Sequence, residues 1–213
     1  MISLDYHYLI RRVQPETSNN PVIVREFTDT KGNDYRLLLS GLIQSHAIEL
    51  IIEAIQRHGD HNLQTSLTDT LNHLARQYQV MLAVAVIKTD KKGTHIMLHG
   101  GQAHMAYLIR QGRIYRLTLE PRGVMGIVQS GDVVILGNHA FNQLVLSNVE
   151  HLDISKKQQK LYQQLDMLVQ NNQAQTGAII ISCEQSLNPL RLIPMQNIFN
   201  KSKALFKKLT LKQ

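Results

Sequence analysis

The sequence of 213 residues lacks tryptophan, has one cysteine and is poor in aromatic residues. A single cysteine excludes a disulfide framework within the chain, so a reducing, cytoplasmic location is expected. Because only 5% of the residues are aromatic, little surface is available for stacking on single-stranded nucleic acid. The cysteine, Cys183, lies in an apolar, strand-like run, which favours a buried and inert thiol over a nucleophile.

Long apolar runs are absent as well. No stretch of about eighteen apolar residues occurs, so no membrane-spanning helix is predicted. The first residues also lack the charged, apolar and small-residue order of a secretory signal. The formal net charge is +7, which is compatible with nucleic acid, an anionic membrane or an acidic protein as a partner. Most of this charge lies near the C-terminus and not in the predicted domain.

The segment 186–213 is predicted to be a basic, amphipathic tail that follows a domain formed by residues 1–185. Apolar residues recur there at helical spacing, opposite five lysines: Lys201, Lys203, Lys207, Lys208 and Lys212. Such a helix binds a partner groove or an anionic surface, or packs on its own domain. The sequence leaves these alternatives open.

Hydrophobic periodicity predicts the elements of the domain. Apolar residues three and four apart predict helices over 45–57, 63–78 and 155–169. Runs rich in β-branched and other apolar residues predict strands over 4–13, 21–27, 35–39, 80–88 and 177–183. The helix over 45–57 has a capping residue, Ser45, and a glycine stop, Gly59. The run 80–88 is almost entirely apolar, which indicates a central strand.

The stretch 93–144 is predicted to be the core sheet. It has strand-like runs at 94–99, 104–110, 113–119 and 133–136, with a glycine-rich link at 123–127. Asp132 is expected to be a turn residue ahead of its strand, and 140–149 favours neither helix nor strand. Strands and helices grouped in this order indicate an α+β fold, in which two antiparallel sheets pack together with helix pairs outside.

Several short motifs occur in a characteristic order. They are RLLLSGLIQSHAIELIIEAI (36–55), GGQAHMAYLIRQGRIYRLT (100–118), GVMGI (123–127), SGDVVILGNHAFNQLV (130–145) and TGAIIIS (176–182). Together they resemble the PPM family of metal-dependent serine/threonine phosphatases, which have the protein phosphatase 2C-like fold. The resemblance covers most of residues 1–184. It implies an antiparallel β-sandwich flanked by helix pairs.

The departures from the family pattern concern the residues that hold metal. The resemblance implies Mg²⁺ or Mn²⁺ bound by carboxylates, because hard cations require oxygen ligands. Here the two Asp-Gly positions are Ser40-Gly41 and Asn138-His139, and the closing acidic position falls at Gln175. Gln102 lies on the same expected rim, and Glu16 is the only carboxylate near the early motif. These side chains supply almost no negative charge to a dinuclear site.

The sequence therefore favours a catalytically inactive phosphatase-like domain without a cofactor. We expect it to act as a regulatory module that binds a protein, such as a kinase, a phosphoprotein or a second copy of itself. Fold and function separate easily in this way.

Two alternatives stay open at this stage. The first is a divergent phosphatase that uses Mg²⁺, Mn²⁺ or another ion with a non-standard ligand set, for which His99, His104 and His139 are the candidates. Against it, ten histidines are scattered through the chain without a recognisable metal-ligand spacing. The second is a basic peripheral domain whose tail binds an anionic membrane or nucleic acid.

Overall fold

A computed structural model describes residues 2–10, 22–41, 43–57, 63–101, 104–119, 123–154, 158–172 and 174–185. These residues form two five-stranded antiparallel sheets and four α-helices. Sheet 1 contains, in spatial order, β1 (Ile2–Ile10), β10 (Gly177–Gln185), β9 (Val133–Asn138), β6 (His104–Arg110) and β7 (Arg113–Leu117). Sheet 2 contains β2 (Val22–Thr28), β3 (Asp34–Ser40), β4 (Met81–Asp90), β5 (Gly93–Gly100) and β8 (Val124–Ile127). The α+β sandwich expected from the sequence is confirmed.

The helices cover the outer faces of the two sheets. They are α1 (Ser45–Arg57), α2 (Leu63–Tyr78), α3 (His139–Asn148) and α4 (Gln158–Asn171), and a short 3₁₀ turn (Val149–His151) follows α3. Helices α1 and α2 pack on sheet 2 around Ile51 and Ile55, both fully buried. Helices α3 and α4 pack on sheet 1 around Phe141 and Leu165. No helix in the described ranges is long and apolar enough to cross a membrane.

The two sheets face each other across a third apolar cluster, which includes Leu38, Leu98, Leu136 and Ile179. Because each sheet is covered on both faces, its central strands are apolar throughout. Strand β4 is the clearest case, since six consecutive residues from Leu82 to Ile87 are buried. Full burial of a valine, leucine or isoleucine side chain contributes about 1.5–3 kcal/mol relative to exposure. The prediction of a central strand at this position is confirmed.

The stretch 93–144 does not form one sheet, and that prediction was wrong. Strand β5 belongs to sheet 2, and the chain crosses at Gly100-Gly101 to enter sheet 1 at β6. A side chain at Gly100 would place its Cβ 3.0 Å from the Cβ of His104 and 3.2 Å from that of Ala83, so its neighbours would have to shift by a few tenths of an ångström and glycine fits the crossing best. Periodicity within a strand does not reveal which sheet the strand joins.

Two further segments differ from their predictions. The predicted link at 123–127 contains a strand, β8, which pairs with β5 along the edge of sheet 2. The ambiguous segment at 140–149 is largely helix α3. Both elements are short, and tertiary pairing stabilises them more than local propensity does.

Candidate functional site

The ends of three strands meet at one end of the sandwich, which we name the Asn138 end. Strand β3 ends at Ser40, strand β9 ends at Asn138, and strand β10 begins at Gly177. Strands β9 and β10 are hydrogen-bonded neighbours, with Gly137 opposite Ala178. Ser40 and Asn138 are 4% and 3% exposed, so both polar side chains are buried and require partners. The sequence resemblance implies a metal site at this position.

The Asn138 side chain makes four hydrogen bonds there. Its Oδ1 accepts from the backbone N–H of Phe141 at 3.0 Å and of Gly177 at 3.3 Å. Its Nδ2 donates to the backbone oxygen of Gln175 at 2.9 Å and to the Ser40 Oγ at 3.4 Å. We call this arrangement the Asn138 network. Both hydrogens and both lone pairs of the amide are therefore engaged.

The orientation of this amide is determined by its neighbours. Two backbone N–H groups require an acceptor on one side, and the Gln175 carbonyl requires a donor on the other. Asn138 is also the N-cap of α3, with extended backbone angles of −76° and 174°. One side chain thus caps a helix, holds the start of β10 and reaches across to sheet 2. The sequence singled out Ser40, Asn138 and Gln175 only as missing acids, and it did not indicate that they bond to one another.

Gly41 follows Ser40 with a φ of +140°, a region that favours glycine. A Cβ there would also lie 3.3 Å from the Cγ1 of Val80. The glycine of the Ser40-Gly41 pair is therefore required by the backbone, independently of any metal. His139, the residue after Asn138, is the exposed first residue of α3.

The three candidate histidines are not brought together. His99 lies between sheet 2 and α2, where its Nδ1 is 2.9 Å from the Thr68 Oγ1. His104 lies beside Asn138 in strand register, in the interior between the sheets. Sheet 2 separates these two, and His139 is exposed on a third surface. Within the described part of the chain no three histidine, cysteine, aspartate or glutamate residues form a group that could hold a metal ion.

Burial lowers the pKa of both His99 and His104 from 6.5 to about 4. Both rings are therefore neutral in the folded protein at neutral pH. No described residue bonds to either ring nitrogen of His104, nor to the Nε2 of His99. An imidazole without acceptors for its N–H groups gains nothing from protonation in such an environment.

Acidification is expected to destabilise the fold through these two residues. In the unfolded chain they protonate near pH 6.5, whereas in the fold they protonate near pH 4, so their stabilising effect is complete above 6.5 and is lost as the pH falls towards 4. A difference of one pKa unit corresponds to about 1.4 kcal/mol, which gives roughly 3 kcal/mol per histidine. Urea unfolding at pH 7, 5.5 and 4 measures this loss.

The variant His104→Leu is expected to reduce the pH dependence between 6.5 and 4, because it removes one of the two titrating groups. His73→Ala, on the exposed side of α2, is the control and should leave the pH dependence unchanged. An equal pH dependence in wild type and His104→Leu would contradict the assignment.

Other predicted site residues lie outside the described residues. These are Gln102, the nearby acidic residue Glu16, and the tail lysines Lys201, Lys203, Lys207, Lys208 and Lys212. Binding through the tail accordingly stays a prediction, as does the boundary at residue 186.

The opposite end of the sandwich holds an ion pair between the buried Asp132 and the partly exposed Arg110. The Arg110 Nη2 lies 2.6 Å from the Asp132 Oδ2 and its Nε lies 2.9 Å from the Asp132 Oδ1, and the Asp132 side chain is 2% exposed. Hydrogen bonding to Asp132 raises the pKa of the Arg110 guanidinium. The Gln129 N–H donates to the same carboxylate at 2.7 Å, which closes the turn before β9. The prediction of a turn residue at Asp132 is confirmed, and its pairing with Arg110 is new.

A cleft of about 1020 Å³ lies at this same end, beside Arg110, Asp132 and Cys183. Arg110 and Asp132 in its lining are paired with each other, Asp153 is paired with Lys160, and the cleft is remote from the Asn138 network. Burial and the Asp132 charge raise the pKa of the Cys183 thiol to about 12, so the thiol stays protonated. The expectation of a buried, inert cysteine agrees with this environment.

Comparisons with known proteins place this geometry in context. Neither known protein-family models nor curated protein sequences give a match. Among solved structures, the SpoIIE phosphatase domain from Bacillus subtilis is similar, with a TM-score of 0.57 and 10% identity over 91% of this chain and 97% of that chain. The structure of RsbX in complex with magnesium has a TM-score of 0.58 and 10% identity, over 86% of this chain and 100% of that chain. The PstP catalytic domain in complex with two manganese ions has a TM-score of 0.50 and 13% identity, over 87% of this chain and 100% of that chain.

The chain has the protein phosphatase 2C-like fold. At these identities the likeness establishes the architecture, and the activity of this chain has to be argued from its own residues. The described residues of the Asn138 network do not fit a dinuclear metal centre. They offer a hydroxyl, an amide and a backbone carbonyl, all neutral and already bonded to each other, where two divalent cations require several carboxylates.

Proposed function

We propose that this protein is a phosphatase-like domain without the metal-dependent catalysis of the family it resembles, and that it acts as a regulatory module by binding another protein. The observation that carries the first part is the saturated amide of Asn138. Both of its hydrogens and both of its acceptor positions are used inside the protein. A cation at this position would have to break bonds that hold β10 and α3 in place.

Charge supports the same proposal. Two divalent cations held close together repel each other strongly unless carboxylates offset their charge. The Asn138 network supplies none, and the nearest titratable side chain in strand register is His104, which is neutral and buried. The network instead gives the fold a hydrogen-bonded connection where a phosphatase of this family has a reaction centre.

The test combines metal binding with hydrolysis. Calorimetric titration of the full chain with Mn²⁺ is expected to show no saturable binding at micromolar concentration. Hydrolysis of p-nitrophenyl phosphate and of a phosphoserine peptide, with Mn²⁺ or Mg²⁺, is expected to equal the rate without protein. The PstP catalytic domain, whose structure contains two manganese ions, serves as the positive control. Metal-dependent turnover that disappears in Asn138→Ala would overturn the proposal.

Binding of a protein is the second part of the proposal. A domain that keeps an ordered fold but not the catalytic ligands retains a surface that can still recognise a partner. A kinase, a phosphoprotein or a second copy of the chain are the partner classes that the family resemblance suggests.

A further inference from the structure

The strand β8, Val124–Ile127, is an edge of sheet 2 and is not covered by another strand within the described part of the chain. Two of its side chains are large, apolar and exposed: Met125 is 57% and Ile127 is 51% exposed. The two residues alternate along the strand, so their side chains lie on the same face of sheet 2. Exposed apolar side chains that are adjacent on one face indicate an interaction surface.

The hydrogen-bond register shows which backbone groups of β8 are available. The Val128 N–H donates to the Thr94 oxygen at 3.0 Å, and these residues are opposite each other in the register of β8 and β5. Alternate residues of an antiparallel strand bond to the same neighbour. Val124 and Gly126 therefore bond towards β5, and Met125 and Ile127 direct their N–H and C=O groups towards the free edge.

One of these four groups already has a partner. The Ile127 oxygen accepts a hydrogen bond from the Arg110 Nη2 at 3.2 Å. The Met125 N–H, the Met125 oxygen and the Ile127 N–H have no bond to another described residue. The residues with exposed apolar side chains are thus also the residues with available backbone groups, which is the arrangement that an added strand requires.

The other three edge strands carry charged side chains, which protect an edge against pairing. Strand β1 contains Asp5, β2 contains Arg25 and Glu26, and β7 contains Arg113 and Arg116. Strand β8 reads VMGI and contains none. Its edge is the least protected of the four.

The surroundings of this edge are basic. A Cβ at Gly93 would lie 3.4 Å from the Ile127 side chain, which places the β4–β5 turn with exposed Lys91 and Lys92 beside β8. Arg113, in register with Arg110, lies on the face of β7 directed towards sheet 2. No described residue forms an ion pair with any of these three. Of the nearby acids, Asp132 is neutralised by Arg110, and Asp90 lies 3.4 Å from His95.

We infer that an extended, acidic segment of a partner protein adds to sheet 2 as a strand along β8. Its backbone would bond to Met125 and Ile127, its apolar side chains would cover theirs, and its carboxylates would face Lys91, Lys92 and Arg113. This inference rests on the protein-binding function proposed above and specifies where and how the partner binds.

Charge argues against the two other occupants. A second copy pairing through β8 would contribute the strand VMGI, which has no carboxylate to face Lys91, Lys92 or Arg113. The segment 186–213 of this chain contains six basic residues and no acidic residue, so it would be repelled by the same side chains. An acidic partner strand is the occupant for which these contacts are attractive.

The experiment is a selection of random twelve-residue peptides, displayed on phage, against the full chain. Enriched peptides are expected to combine acidic residues with alternating apolar residues and to bind less tightly as salt is added. The most enriched peptide is then synthesised and its Kd measured. Met125→Pro removes an N–H that faces the free edge while leaving the bonds to β5 intact, and it is expected to weaken binding at least about tenfold.

Met125→Val, which keeps that N–H, is the matched control and should bind within about threefold of wild type. Arg113→Glu should weaken binding of the acidic peptide, because it places a negative charge beside β8. N-methylation of the alternate peptide residues whose N–H groups face β8 should abolish binding to the unmodified protein. This result does not depend on whether a protein variant folds. The inference would be overturned if no peptide is enriched or if the enriched peptides are not acidic. It would also be overturned if they bind Met125→Pro as tightly as wild type. Peptides bound elsewhere would leave the protein-binding function standing, and the hydrolysis assays test catalysis separately.

Discussion

Asp132→Ala is expected to destabilise the protein by about 1–3 kcal/mol, because the partly exposed Arg110 guanidinium and the Gln129 N–H lose their shared, buried acceptor. The pair is bidentate, and the same carboxylate accepts the Gln129 N–H that closes the turn before β9. Since a small domain is stable by only about 5–15 kcal/mol, this loss is a large fraction of the total. Urea unfolding at pH 7 measures it.

Two comparison variants make this result specific. Glu49→Ala, on the exposed face of α1, should change stability by no more than about 0.5 kcal/mol. The double variant Arg110→Met/Asp132→Leu removes both charges and should recover part of the loss, since an apolar pair can replace an ion pair, whereas the Gln129 N–H stays without its acceptor. If Asp132→Ala is as stable as Glu49→Ala, the ion pair has no structural role.

Asn138→Ala is expected to cost about 3 kcal/mol or more. The α3 N-cap is lost, which alone costs about 0.5–2 kcal/mol. The buried Gly177 N–H also loses its acceptor, at about 1–3 kcal/mol for an unsatisfied group, and the Gln175 oxygen and the Ser40 hydroxyl each lose the hydrogen bond from the amide. Thermal and urea unfolding of the full chain measure the loss, and hydrogen exchange should show it first at the start of β10.

Asn138→Asp is the matched variant for this network. Aspartate caps a helix as well as asparagine does, but it has no donor for the Gln175 oxygen or the Ser40 hydroxyl oxygen. We expect it to be less stable than wild type at pH 7, and we expect the difference in stability between the two proteins to decrease at acidic pH, where the carboxyl group regains a proton to donate. Equal stability of all three proteins would contradict the central role of the Asn138 amide.

The long, strongly periodic elements could be predicted from sequence. The apolar spacing around Ile48, Ile51 and Ile55 predicted α1 with its observed ends, and the same holds for α2 and for β6. In these elements the buried residues recur at the helical or strand period, so the spacing of apolar residues along the sequence is enough to identify them. The resemblance to phosphatases added the sandwich architecture, which the solved structures of the same fold confirm.

Features that depend on contacts between distant residues could not be predicted. Asn138, Ser40 and Gln175 are far apart in sequence, and no local pattern shows that one amide joins them. The pairing of β8 with β5 and the separation of His99 from His104 by sheet 2 likewise depend on which sheet each strand enters. Asn138 did carry one local signal, since an asparagine directly before a helix is a common N-cap.

The topology of sheet 1 has a consequence for synthesis on the ribosome. In the described part of the chain, β1 pairs with no strand other than β10, with Ile2 opposite Gln185 and Ile10 opposite Gly177. Strand β1 therefore has no strand partner there until β10 has been synthesised, whereas the described strands of sheet 2 are all synthesised by residue 127. Contacts this distant in sequence form slowly. Nascent chains that end before β10 should accordingly contain a folded sheet 2 and an unpaired β1, which makes the final strand the step that closes the domain.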